Sequence, residues 1–202
     1  MRAITVLLFA GLGLVGCSSP TLHYYTLLGN SHETQSSSLP PDYQFEMLPV
    51  RVPLSVDQPQ IVVRQDQGRL AVLENDRWAA PLSEEFQEAL SVQLERKLGT
   101  RDLAGFAKDP LHPVLSVQVD VRRFESLPGG YALIDTLWSV AFRAPDQPRR
   151  TLTCASRIQE PADSSLSNVV LVHQRLIEEL ATRIANQTDV WVKDAAQTCT
   201  DH

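Results

Sequence analysis

Cysteine is scarce, with three in 202 residues, and no two form a Cys-x-x-Cys pair, so a dithiol redox centre has no place here. Histidine offers no metal site either: His23, His32, His112, His173 and His202 are scattered, and no two stand at ligand spacing. There is no Gly-x-Ser-x-Gly elbow, no Ser-x-x-Lys, no phosphate loop and no dinucleotide fingerprint. Basic residues are outnumbered, 18 Lys and Arg against 24 Asp and Glu, for a net charge of −6. That balance argues against nucleic acid and against a polybasic membrane surface. The longest apolar run, from Ala3 to Val15, falls short of the roughly 20 residues a membrane-spanning helix needs. These absences point to a chain without enzymatic activity, metal or cofactor.

What is present begins with Leu14-Val15-Gly16-Cys17, which closes that apolar run. An apolar residue three before a cysteine, with small residues between, is a lipobox. Arg2 supplies the positive start and the apolar stretch the core of a signal peptide, residues 1–16, cut before Cys17. Cys17 then carries an S-diacylglycerol and an N-acyl chain. Each buried methylene contributes roughly 0.8 kcal/mol, so two or more chains hold a protein to a bilayer stably. The compartment follows: a bacterial envelope, with the body of the protein in the periplasm. Ser18, where Asp would retain a lipoprotein in the inner membrane, sends it to the periplasmic face of the outer membrane.

The mature chain of about 186 residues is one domain's worth, and loss of Arg2 makes it one charge more negative. Residues 17–22 are a short lipidated tether. An extended run from Ser18 to Leu22 reaches only about 17 Å. With Cys17 acylated, Cys154 and Cys199 remain, and in an oxidising compartment two leftover cysteines usually pair; the alternative is two separate thiols, Cys154 buried on a strand and Cys199 in the tail.

His23–Leu28 and Phe45–Val52 read as strands, the second interrupted by Pro49, with a polar loop, 29–41, between them. Ile61–Arg64 and Arg69–Glu74 flank Gln65-Asp66-Gln67-Gly68 as a hairpin, and Asn75-Asp76 turns the chain. From Leu82 to Leu98 the period becomes helical, with Leu82, Phe86, Leu90, Leu94 and Leu98 in one stripe that Ala89 and Val92 widen. Glu84 and Glu85 suit the first turn, Arg96 and Lys97 the last, and Gly99 the C-terminal cap. Leu115, Val117, Val119 and Val121 alternate with polar residues, then Tyr131–Ala144 and Arg149–Ile158 follow across short turns as an antiparallel meander. Ser164–Ser167 caps a second helix whose stripe is Val169, Val172, Leu176, Leu180 and Ile184. The expected fold is α/β or α+β, a single domain over 23–193, with one mixed, mostly antiparallel sheet under two long amphipathic helices. Residues 194–202 form a polar tail.

Few side chains invite chemistry. Asp120 and Asp135 lie on strands that pairing would bring together, but solvated sheet carboxylates are the commoner case. His173 reads as a surface or half-buried structural histidine within the second helix. Trp78, Trp138 and Trp191 read as core or rim aromatics.

Tyr24-Tyr25-x-Leu27 directly after the anchor, Pro59-Gln60-Ile61-Val62-Val63-Arg64, and Trp78-Ala79-Ala80-Pro81-Leu82 opening the first helix resemble the PqiC-like, ABC-type transport auxiliary lipoprotein family. The likeness covers essentially the whole mature chain. It implies a non-catalytic outer-membrane lipoprotein that docks the far end of a lipid conduit contributing to envelope integrity. Its partners would be a PqiB-like MCE-domain protein, inner-membrane transporter components and further copies of itself. Under that resemblance Trp78, Pro81 and Leu82 are either a contact surface or simply the cover and first turn of the helix. An outer-membrane assembly or cell-wall lipoprotein without a transport partner is the alternative.

Overall fold

The computed structural model describes residues 21–29 and 41–199. The Leu82–Leu98 stripe becomes helix α1 over those same residues, burying Leu82, Phe86, Ala89, Leu90, Leu94 and Leu98. Gly99 ends it in the left-handed region at φ 70°, where a side chain would be strained, and its N–H donates to the Glu95 carbonyl. Pro81 occupies the N-cap rather than the first helical position, and it has no side chain to cap with. Its carbonyl instead accepts from the Glu84 and Glu85 N–H groups, while the Asp57 carboxylate, 26 residues upstream, accepts from Ser83 N–H at 3.1 Å. Helix α2 runs from Leu166 to Lys193, capped by the Ser165 hydroxyl, which accepts from Asn168 N–H. It is longer than its stripe alone indicates because nothing between Ile184 and Lys193 breaks it, and Trp191 is buried in its last turns.

Seven strands accompany the helices: β1 (His23–Tyr25), β2 (Gln44–Met47), β3 (Gln60–Arg64), β4 (Leu70–Trp78), β5 (Val114–Leu127), β6 (Tyr131–Arg143) and β7 (Arg150–Pro161). The domain is α+β. Its strands divide into two sheets rather than one, ordered β1-β4-β3 and β2-β5-β6-β7. The reason lies along β5. One edge is taken by β6, and the other by parallel β2 and the segment after it, through Leu48 N–H to Val117, Arg51 N–H to Val119 and Val121 N–H to Arg51. No free edge remains there for the β3–β4 hairpin, which packs beside β5 as a separate sheet. Asn75-Asp76 does not turn the chain, because β4 continues through both to Trp78, where parallel β1 pairs with it: His23 opposite Asp76, Tyr25 opposite Trp78.

The meander β5–β6–β7 has the expected phases, with Val117, Val119, Val121, Ile134, Trp138, Val140, Cys154 and Ile158 all buried. Past Val121 the inward side of β5 changes parity. Arg122 has no partner on β6, the register stepping from Val121–Thr136 to Arg123–Asp135, and Phe124 and Ser126 become the inward residues. This is a β-bulge, an extra residue that swivels the strand.

Candidate functional site

The Trp78–Leu82 corner is built into the core. Trp78 and Leu82 are buried, and the indole meets Phe124 edge-on at 6.1 Å. Of the three residues proposed as a contact surface only Pro81 is exposed, so Trp78 and Leu82 are unavailable to a partner. Their work is to fix the start of α1 against the N-terminal segment. Glu85, whose acidic character suits a helix start, also turns inward and is buried. Its Oε2 accepts from Thr26 Oγ1 and from Leu27 N–H, both at 2.8 Å. From the other side Gln174 Nε2 of α2 donates to the Thr26 carbonyl at 3.0 Å. The chain that leads from the tether is thereby clamped between both helices. Cys17 and Ser18 lie outside the described residues.

Cys154 on β7 is joined to Cys199 by a disulfide with Cα atoms 5.6 Å apart, tying the segment after α2 back to the sheet. The bridge closes a loop of 45 residues, which in the chain-entropy account is worth roughly 2–4 kcal/mol. Cys154→Ser with Cys199→Ser is expected to lower the unfolding free energy by about that amount, read by urea titration with and without reductant. Only the native chain should respond to the reductant.

Asp120 and Asp135 do not meet. Asp120 faces Leu137 across the ladder and is paired with Arg51 at 2.9 Å, whereas Asp135 faces Arg123. His23 bonds Asp76 and His112 bonds Asp109, both in the open. His173 is wholly buried, not at the surface: Nε2 lies 2.9 Å from Ser126 Oγ, and the ring stacks on Phe124 at 3.9 Å between centroids. Burial alone pushes its pKa down to about 3, so the imidazole is neutral and structural. Among the described residues no three His, Cys, Asp or Glu side chains gather to hold a metal ion. No described helix is long and apolar enough to cross a membrane.

Sequence reasoning missed the charged network beside the bulge. Glu125 accepts from Arg123 Nε at 2.9 Å, Arg64 Nη2 at 3.2 Å and Tyr131 Oη at 2.8 Å. Burial opposes its ionisation, but these donors outweigh it and hold the carboxyl below its ordinary range. Next to this network is a cleft of about 180 Å³ lined by Pro53, Val62, Arg64, Leu70, Arg122 and Arg123, among others. A larger hollow of about 440 Å³ at the other end of β5 is lined by Lys108, Asp109, His112 and Arg143, with Lys108 paired to Glu46 at 2.6 Å. Neither presents an activated nucleophile beside a base. The arrangement can bind and position.

Residues 25–185 match the family described as the ABC-type transport auxiliary lipoprotein component. The chain belongs to that family. The match takes in α1, strands β2 to β7 and α2 as far as Ala185. Among solved structures the fold is similar to an uncharacterized protein at 17% identity and a TM-score of 0.64, covering 83% of this chain and 98% of that one. It is also similar to protein XCC0632 from Xanthomonas campestris, of the DUF330 family, at 17% identity and a TM-score of 0.62, covering 88% of this chain and 100% of the other. At that identity these likenesses concern the fold alone. No curated protein matches the chain. The family's members are auxiliary lipoprotein components of ABC-type transport.

Proposed function

We propose that this protein is a non-catalytic auxiliary subunit of an MCE/ABC-type, Pqi-like lipid transport system. Lipids on Cys17 anchor it to the periplasmic face of the outer membrane. Its role is to dock the far end of a periplasm-spanning MCE-domain protein whose other end meets the inner-membrane transporter. The observation that carries this reading is the family match over residues 25–185. Three features support it: the lipobox at Leu14–Cys17 with Ser18 behind it, a tether of only a few residues, and a clamped N-terminal segment that fixes the body close to its membrane. A docking part needs permanence and a fixed stance more than reactive groups.

Crosslinking in intact cells, purification of the full lipoprotein from membranes and mass spectrometry test the proposal. The expected result is recovery of an MCE-domain protein together with a transporter permease. Recovery of outer-membrane assembly or cell-wall components in their place would overturn it.

A further inference from the structure

β1 runs parallel to β4, with His23 opposite Asp76. β1 is therefore entered from the side of Leu70 and the hairpin tip. From His23 to position 17 is six residues, an extended reach of about 20 Å. From Asp76 back to Leu70 is also six residues, about 20 Å of strand. Six residues thus have the length to bring an anchor at position 17 level with the hairpin tip.

That end of the molecule is unlike the rest of an acidic chain. Leu54 is 91% exposed, Leu70 49% and Val72 45%; Leu70 lines the cleft beside the bulge, and Leu54 stands in the chain between Pro53 and Ser55, which line it too. Five arginines, Arg51, Arg64, Arg69, Arg122 and Arg123, are paired there with three carboxylates, Asp66, Asp120 and Glu125. Glu74, exposed on β4 two residues after Val72, is a fourth, so cations still exceed carboxylates by one. The bulge is what sets two consecutive arginines against one cleft, because in a regular strand Arg122 and Arg123 would face opposite ways. Arg64 Nε has no hydrogen-bond partner there, so the cleft wall holds an unspent donor. Apolar side chains standing out beyond a ring of cations match the boundary between phosphate headgroups and acyl chains.

We infer that the cleft end of the β3–β4 sheet, with Leu54, Leu70 and Val72 ringed by the bulge arginines, is a membrane-apposed face. It seats on the anionic phospholipids of the bilayer that holds the anchor. This rests on the anchoring reading of Cys17 but not on the transport partner. The face fixes the domain's tilt, turning the opposite end, with Leu111 and the larger hollow, toward the periplasm.

Tryptophan fluorescence on the full lipidated chain reads this directly. The native Trp78, Trp138 and Trp191 are each only 3% exposed and form a protected background. Leu54→Trp adds a reporter on the proposed face. Leu111→Trp, at a site 80% exposed before the far end of β5, is the control. The proteins are reconstituted in phosphatidylethanolamine–phosphatidylglycerol vesicles containing brominated acyl chains, and bound protein is isolated by flotation. The emission that Leu54→Trp adds over the native background is expected to be roughly halved, because interfacial side chains sit about 5–10 Å into the headgroup and acyl boundary. Emission from Leu111→Trp is expected to stay unchanged. Adding Arg122→Gln and Arg123→Gln, or raising the salt, should relieve the quenching while leaving flotation intact. A chain that floats with both reporters quenched equally, or with neither quenched, overturns the face alone. A chain that does not float refutes the anchor and the face together.

Discussion

Trp78→Ala is expected to destabilise the protein by about 3–5 kcal/mol, the usual cost of removing a buried indole. The ring is 3% exposed and packs edge-on against Phe124, which in turn meets Phe86 of α1 edge-on at 6.4 Å. Its backbone joins two elements at once: Trp78 N–H donates to the Pro59 carbonyl at 2.7 Å, and the neighbouring Ala79 N–H donates to Tyr25 at 2.8 Å. Removing the side chain leaves a cavity where β1, β4 and α1 converge, and relaxation there would pull on all three. A loss of this size is a large fraction of the 5–15 kcal/mol typical of a domain. Urea titration followed by circular dichroism measures it. An unchanged midpoint in a variant that no longer co-purifies with the MCE-domain protein proposed as its partner would reverse the assignment, making Trp78 a contact rather than a core residue. The double cysteine variant should add its own loss nearly independently, since Cys154 lies on the other sheet.

Acid is expected to act through His173. In the unfolded chain this residue accepts a proton below about 6.5, whereas in the fold burial refuses it until about 3. Between those values the unfolded state binds the extra proton, so stability falls as pH falls. The slope is about 1.4 kcal/mol for each pH unit. Ser126 Oγ bonds Nε2, but Nδ1 has no partner among the described groups, so nothing nearby compensates a charge on the ring. Above pH 6.5 the group contributes no dependence. Unfolding free energies at pH 7, 5 and 4 should therefore fall steeply for the native protein. His173→Gln should start lower, having lost the stack on Phe124, but lose little more across that window. Parallel slopes in the two proteins would place the acid sensitivity elsewhere.

Helix α1 was legible to the residue because three independent signals coincide: a four-residue apolar spacing, charges matched to both ends and Gly99 beyond the last turn. The meander was legible because alternation and turn residues agree. The split into two sheets was not, since periodicity tells which face of a strand is buried but not which edge it pairs. Asn75-Asp76 carries turn chemistry, yet the pairing of β4 with β1 overrides it. His173 looked like a surface residue because a lone polar group on a helix usually is one. The signal that it is not, its place one residue after Val172 in the apolar stripe and opposite Ser126, exists only once β5 has shifted phase. That shift also explains the missed arginine cleft: Arg122-Arg123 in sequence resembles two residues on opposite faces, and a bulge leaves no mark in the alternation until Phe124.

The parallel pairing of β1 with β4 also has a mechanical meaning. Under the proposed anchoring through Cys17, force on the tether would enter at His23 and run along the axis of β1. The β1–β4 hydrogen bonds lie across that axis and are loaded together in shear instead of being unzipped one by one. Behind them the Glu85 and Gln174 bonds to Thr26 and Leu27 take the remaining pull and pass it to both helices. Tension on the tether would thus be delivered to the whole domain rather than to a frayed end, as a mooring cleat delivers it to a hull.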